Sequence, residues 1–209
     1  MFQKNINIKT GKNEEYFYLD YYIPKNKKKA LNNNESAVKY SESILKYKKG
    51  DPGAIAFFVK TLNNIIYNYF YFYDLILPVP PSNSYLDVYP NSQVCLYLSA
   101  FGTIATLDKA IICAKGHKPG HIENVKSKKK DLNNIAVTDK YDYKSKNIII
   151  FDDIITTGTT FEVIKRELSK KGANLVTGIF LGKTFTGAEF KNNAEKRDID
   201  GRFDMRLSA

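Results

Sequence analysis

The chain has 209 residues, 43% of them hydrophobic and 26% charged, with a formal charge of +10. That composition supports one domain with a real core and excludes a disordered or fibrous chain, and no apolar stretch reaches the roughly 18 residues that cross a bilayer. The basic balance favours polyanions, whether nucleic acid or a small phosphorylated substrate.

The first twenty residues hold no apolar signal core and no small-residue cleavage pattern, so a cytoplasmic protein is expected. Residues 1–34 read as a polar and aromatic N-terminal extension, with YFYLDYYIP as a strand or edge hairpin. AVKYSESILKYKKG predicts a short helix closed by Gly50. Asp51 and Pro52 supply a cap and a proline at the first position of a second helix. Within it Ile55, Phe58, Val59, Leu62, Ile66 and Tyr69 recur at helical spacing over about four turns. YDLILPVP is a buried strand halted by Pro78, Pro80 and Pro81 in a constrained loop. NSQVCLYLSAFG is a helix capped by Asn91 or Ser92 and stopped at Gly102, and KAIICAK is a second strand.

Residues 115–146 carry few apolar anchors and are long for a connection, which predicts a protruding functional loop. NIIIF is a third strand, apolar throughout as expected when both faces are covered. TTFEVIKRELSKKGA is a helix with Phe161, Ile164 and Leu168 inward and Gly172 at its end, and LVTGIFL is a fourth strand. Residues 35–185 thus form one α/β domain, with a polar tail over 186–209. Strand and helix alternate, so the fold class is α/β with a doubly wound, mostly parallel sheet. Ligands of such sheets bind beyond the carboxyl ends of the strands, and the loops after Val79, Ala114 and Phe151 meet that condition. Cys95 and Cys113 sit on separate apolar stretches and read as two reduced thiols. The lysine clusters KNKKK (25–29), KYKK (46–49) and KSKKK (126–130) each read as solvated surface, while offering a grip on a nucleic-acid backbone.

The chemistry concentrates in IIIFDDIITTGTT, residues 148–160. Asp152 and Asp153 end an apolar strand, and Thr156, Thr157, Gly158, Thr159 and Thr160 join it to a helix. Amide groups of such a turn, backed by a helix N-terminus, cradle an anion, and Gly158 permits a close backbone approach. The acids would repel that anion, so they face something else, either a metal or the hydroxyls of a polyol. A sugar phosphate satisfies both halves, and the carboxylates would stabilise positive charge developing on its ring.

That stretch is similar, position by position, to the phosphoribosyl pyrophosphate (PRPP) signature of type I phosphoribosyltransferases, a hydrophobic strand followed by two acids, two aliphatic residues and T-T-G-[TS]-[TS]. The resemblance implies the fold of that family with a small hood or extension, Asp152 and Asp153 on the ribose hydroxyls, and Thr156 to Thr160 on the 5′-phosphate. ILKYKKGD, DLILPVPPSN and the closing GIFLGKT resemble, in order, features of the ComF-like group, over roughly residues 40–185. The cysteine-rich lead-in of that group is missing, and PPSNSYLDVYPNS holds no basic residue where the group has an arginine.

By position, Pro80, Pro81, Ser82, Asn83 and Ser84 correspond to the family's pyrophosphate loop. Lys115, His117, Lys118 and His121 correspond to its flexible lid, which excludes water and neutralises the departing pyrophosphate. Lys183 and Phe185 fall where some members hold the acceptor base. The implied reaction is transfer of a phosphoribosyl group to a nitrogenous base with release of pyrophosphate, with Mg²⁺ carried on the substrate and the chain acting as a homodimer. A catalytically weak sensor of PRPP or a nucleotide, or a nucleic-acid binder, is the alternative. A dinucleotide-binding fold is disfavoured, because no G-x-G-x-x-G occurs.

Overall fold

A computed structural model describes residues 8–11, 15–24, 35–81, 88–113 and 135–185. Its elements are β1 (Lys9–Thr10), β2 (Tyr16–Tyr22), α1 (Glu35–Lys48), α2 (Pro52–Tyr69), β3 (Leu75–Pro78), α3 (Pro90–Ala100), β4 (Ala105–Thr106), β5 (Ile111–Cys113), β6 (Ile135–Val137), β7 (Asn147–Ile155), α4 (Thr159–Lys170) and β8 (Leu175–Thr184). Six strands form the main sheet in the order β1-β2-β8-β7-β3-β4. All neighbours are parallel except β1 with β2. The fold is therefore α/β with a mostly parallel central sheet.

The apolar run of β7 places it at the centre. Ile149 and Phe151 join a core shared with α1, α2 and α3, while Ile148 and Ile150 join a second core shared with α4. All four are fully buried, each stabilising the fold by about 1.5–3 kcal/mol. Past them the alternation changes phase, since Ile154 packs on the first core and Ile155 on the second. The register offset with β8 is the same at Asp152 opposite Phe180 and at Ile154 opposite Gly182, so no residue is inserted, while Asp153 between them is left out of the pairing. The change of phase falls across the two acids.

Several sequence expectations are revised. KAIICAK supplies no strand to the main sheet. Its Ile111–Cys113 pairs antiparallel with Ile135–Val137 in a separate ribbon, and Ala105–Thr106 takes the edge beside β3. Ile111 and Val137 face the second core while Ile112 is exposed, so three residues suffice for a ribbon covering the sheet. The loop after Ala114 therefore does not leave a main-sheet strand. YFYLDYYIP provides β2, which lies inside the main sheet between β1 and β8. The second helix follows its expected cap, with Asp51 Oδ1 accepting from the Ala54 N–H at 2.8 Å.

At α3 the cap differs from expectation. Pro90 takes the first helical position and shifts the cap to Tyr89, whose N–H donates to Ser92 Oγ at 3.0 Å. Asn91 is consequently turned inward and buried.

Helix α1 is fastened to the sheet at several points. The Tyr40 hydroxyl donates to the Leu181 carbonyl at 2.7 Å, and Ser41 Oγ accepts from the Ile23 N–H at 2.9 Å. Gly182 permits the close approach, because a Cβ there would lie 2.8 Å from Ile44 Cδ1 and 3.1 Å from Tyr22 Cβ. Gly182→Ala is expected to destabilise the fold by about 1–3 kcal/mol, read as a lowered urea midpoint with an unchanged slope.

Candidate active site

Strand order creates the site. From β3 the chain turns through α3 on one face to reach β4, whereas from β7 it turns through α4 on the opposite face to reach β8. The loops leaving β3 and β7 therefore diverge at adjacent strand ends, the topological switch point at which such sheets bind ligands. A cleft of about 60 Å³ opens there, lined among others by Val79, Asp152, Thr156, Thr157, Gly158, Thr159 and Thr160.

The phosphate side follows from local conformation. Gly158 has φ of 80°, a left-handed value that folds the turn tightly into α4. It occupies the cap position, and no side chain caps the helix. The first-turn amides, which an α-helix leaves without internal partners, are thus presented at the cleft beside Thr159 and Thr160. The Thr157 and Thr159 hydroxyls lie 2.8 Å apart and add neutral donors.

The acids lie within β7 itself, which runs on to Ile155 and does not end at Phe151. Asp152 Oδ1 accepts from the Asp153 N–H at 2.8 Å and from Asn91 Nδ2 at 3.0 Å. Asn91 Nδ2 also donates to the Val79 carbonyl at 3.1 Å, while its Oδ1 accepts from the Tyr47 hydroxyl at 2.8 Å. Burial holds the Tyr47 phenol well above its ordinary range, so it remains a donor and fixes the orientation of the amide. Asp153 is held differently. Its Oδ1 lies 3.3 Å from Lys48 Nζ, and it does not line the cleft.

Burial first, and the adjacent Asp153 carboxylate second, push the Asp152 carboxyl up to about 7 despite the donors from Asp153 and Asn91. Burial also raises Asp153, against the opposing pull of Lys48. Among the described residues no cluster of three or more His, Cys, Asp or Glu could hold a metal ion.

Of the expected site residues, Asp152 and the Thr156–Thr160 turn share the cleft, whereas Pro80 and Pro81, which follow the lining residue Val79 in sequence, do not line it. Ser82, Asn83 and Ser84, and Lys115, His117, Lys118 and His121, lie outside the described residues. Lys183 pairs across from Ile155 on β8, its Nζ 5.6 Å from the Tyr18 ring centroid, and Phe185 packs edge-on to Tyr21. Neither lines the cleft. Tyr47, Lys48 and Asn91 were not singled out by pattern. Lys48 sits in a cluster that reads as solvated surface, and Asn91 in a position that reads as a cap.

No protein-family model matches the chain, and no curated protein matches it. Among solved structures it is similar to an adenine phosphoribosyltransferase from Saccharomyces cerevisiae complexed with an imino-altritol bisphosphate and adenine, at 16% identity over 72% of this chain and 78% of that one, with a TM-score of 0.46. It is similar also to a purine phosphoribosyltransferase from Pyrococcus horikoshii, at 20% identity over 61% and 80% of the two chains and a TM-score of 0.39. A hypoxanthine phosphoribosyltransferase from Trypanosoma cruzi matches at 12% identity over 69% and 68%, again with a TM-score of 0.39.

Because Asp152 titrates higher in the folded chain than its ordinary 3.8, folding favours its protonated form, and stability declines as pH climbs from about 4 to about 7. Asp152→Asn retains both hydrogen bonds without the charge. At pH 7.5 it is expected to raise Tm by roughly 2–4 °C, about 1 kcal/mol, with the advantage vanishing near pH 4. Melting curves across that range check the sign.

Proposed function

We propose that the chain is a phosphoribosyltransferase, which binds PRPP and transfers its phosphoribosyl group to a nitrogenous base with release of pyrophosphate. The supporting observation is that Asp152 and the amide-rich turn Thr156–Thr160 line one cleft at the switch point of the sheet. The turn would take the 5′-phosphate through its N–H groups and threonine hydroxyls. Asp152 would accept from ribose hydroxyls, an interaction that favours its ionised form and opposes the burial that raises its pKa.

In the transfer, the bond from ribose C1 to the pyrophosphate oxygen breaks, with its electron pair leaving on pyrophosphate. A lone pair on the base nitrogen forms the new bond to the same carbon, and the proton which that nitrogen carried is lost to solvent. The carboxylate near the ring stabilises the positive charge between those events. Mg²⁺ would ride on pyrophosphate oxygens and sugar hydroxyls and neutralise the leaving group, in keeping with its preference for substrate phosphates and water. Within the class, the order of motifs resembles the ComF-like group, in a cytoplasmic setting.

A second reading, a sensor of PRPP without efficient transfer, is favoured by one observation: no Lys, Arg or His occurs between Val79 and Ser92. Calorimetric titration of PRPP with and without Mg²⁺, followed by a pyrophosphate-release screen across bases, separates the two. Binding is expected to depend on Mg²⁺ and to weaken by about 100-fold or more, roughly 2.7 kcal/mol, in the double variant Asp152→Asn with Asp153→Asn. Unchanged affinity in a folded double variant defeats the site. Binding without release for any base supports the sensor.

A further inference from the structure

We propose that Asn91 is a positioning residue for ligand binding at Asp152: by holding one carboxyl oxygen it leaves the other free for a hydroxyl of the ligand, an inference that rests on the proposed function. The two donors that reach Asp152, the Asp153 N–H and Asn91 Nδ2, both go to Oδ1. Among the described residues no hydrogen bond or ion pair reaches Oδ2. One oxygen is thus fastened to the protein, and the other is left for a ligand in the cleft that Asp152 lines.

The amide is held one way round. Its Nδ2 donates twice, to the Val79 carbonyl at 3.1 Å and to Asp152 Oδ1 at 3.0 Å, and its Oδ1 accepts from the Tyr47 hydroxyl at 2.8 Å. Turned over, it would set oxygen against the carbonyl and the carboxyl together and take from both the donor they share. The anchor beneath it is firm, because Val94, Cys95 and Leu98 bury the following turns of α3 in the first core. A single amide therefore ties Val79, beyond the end of β3, to Asp152 on β7.

With two donors already on Oδ1, a proton and a ligand hydroxyl compete for Oδ2. A neutral donor on Oδ1 favours the ionised carboxyl and so favours the ligand in that competition. Without Asn91 the proton holds Oδ2 more tightly, and the ligand is disfavoured up to a higher pH. The loss is therefore large where Asp152 is protonated and fades as pH rises. Other groups near the carboxyl do not mimic this pattern. Asp153 and its partner Lys48 are common to every variant, and Tyr47 and Tyr89, whose phenols burial holds above their ordinary range, stay neutral from pH 6 to pH 9.

The test titrates PRPP, at constant Mg²⁺ and at pH 6 and pH 9, into the wild-type chain, Asn91→Leu, Asn91→Ala and Val94→Ala. The last removes buried volume from the same helix but no donor. Against the wild-type chain at the same pH, which cancels the titration of the ligand, both Asn91 variants are expected to bind about tenfold more weakly at pH 6 and within about threefold at pH 9. Val94→Ala, although less stable, should stay within about threefold at both. No loss at pH 6, a loss equal at both pH values, or one that Val94→Ala shares overturns the inference. Carbon-13 NMR of labelled carboxyls reads the same coupling without ligand, and Asp152 should titrate at higher pH in the Asn91 variants. In the wild-type chain, which needs no variant to fold, the Asn91 side-chain amide resonance should shift with the Asp152 midpoint. A midpoint indifferent to Asn91, or an amide indifferent to pH, likewise overturns it. Should the wild-type chain not bind PRPP, the proposed function falls, and the hold of Asn91 on Asp152 is judged on these resonances alone.

Discussion

Two consecutive carboxylates at the end of a buried central strand are the constraint around which this structure is arranged. Neither can keep a full hydration shell, and each raises the cost of ionising the other. Their partners come from elements remote in sequence, with Asn91 on α3 serving Asp152 and Lys48 on α1 serving Asp153. Both helices pack on the same core, and each brings its partner to the end of β7 from that face. Gly182 allows α1 to settle close enough for its last turn to arrive. The packing of one face thus answers the electrostatics of two residues.

The opposite face supplies the other half of the chemistry. Helix α4 buries Phe161, Ile164 and Leu168 in the second core, which fixes its axis, so that its N-terminus meets the end of β7. Gly158 makes the turn between them in a left-handed conformation that costs other residues about 1–2 kcal/mol. Helices on opposite faces draw the loops after β3 and β7 apart, and the cleft is the space between. Its existence follows from strand order, and its chemistry from the residues at the two strand ends.

What could be read from the sequence was local. The acids, the threonine turn, the apolar run of β7 and the inward residues of α4 lie within one stretch whose periodicity and turn chemistry are visible along the chain. The Asp51–Pro52 start of α2 was legible for the same reason. What could not be read depends on separation. Tyr47 meets Asn91 across 44 residues, and Asn91 meets Asp152 across 61, and nothing in either neighbourhood marks such a pairing. Asn91 has the composition of a cap, and only the claim of Pro90 on the first helical position turns it inward. KAIICAK shows the limit of a short apolar run, because periodicity announces a strand without naming the strand it will pair with.

The cleft is electrostatically polar, and that polarity dictates how a ligand can lie in it. One end offers amide hydrogens and hydroxyls at a helix N-terminus, which favour negative charge. The other offers a carboxyl whose ionised form is disfavoured by burial and favoured by each further hydrogen-bond donor or cation that arrives. A phosphate placed against Asp152 would deepen the penalty on its ionised form, whereas a hydroxyl would relieve it. On the proposed function, reversal of a sugar phosphate in the cleft would therefore be opposed at both ends at once. A carboxylate that burdens the resting fold would become, with a polyol beside it, the group that sets the direction of the proposed ligand, the kind of local instability that functional sites retain.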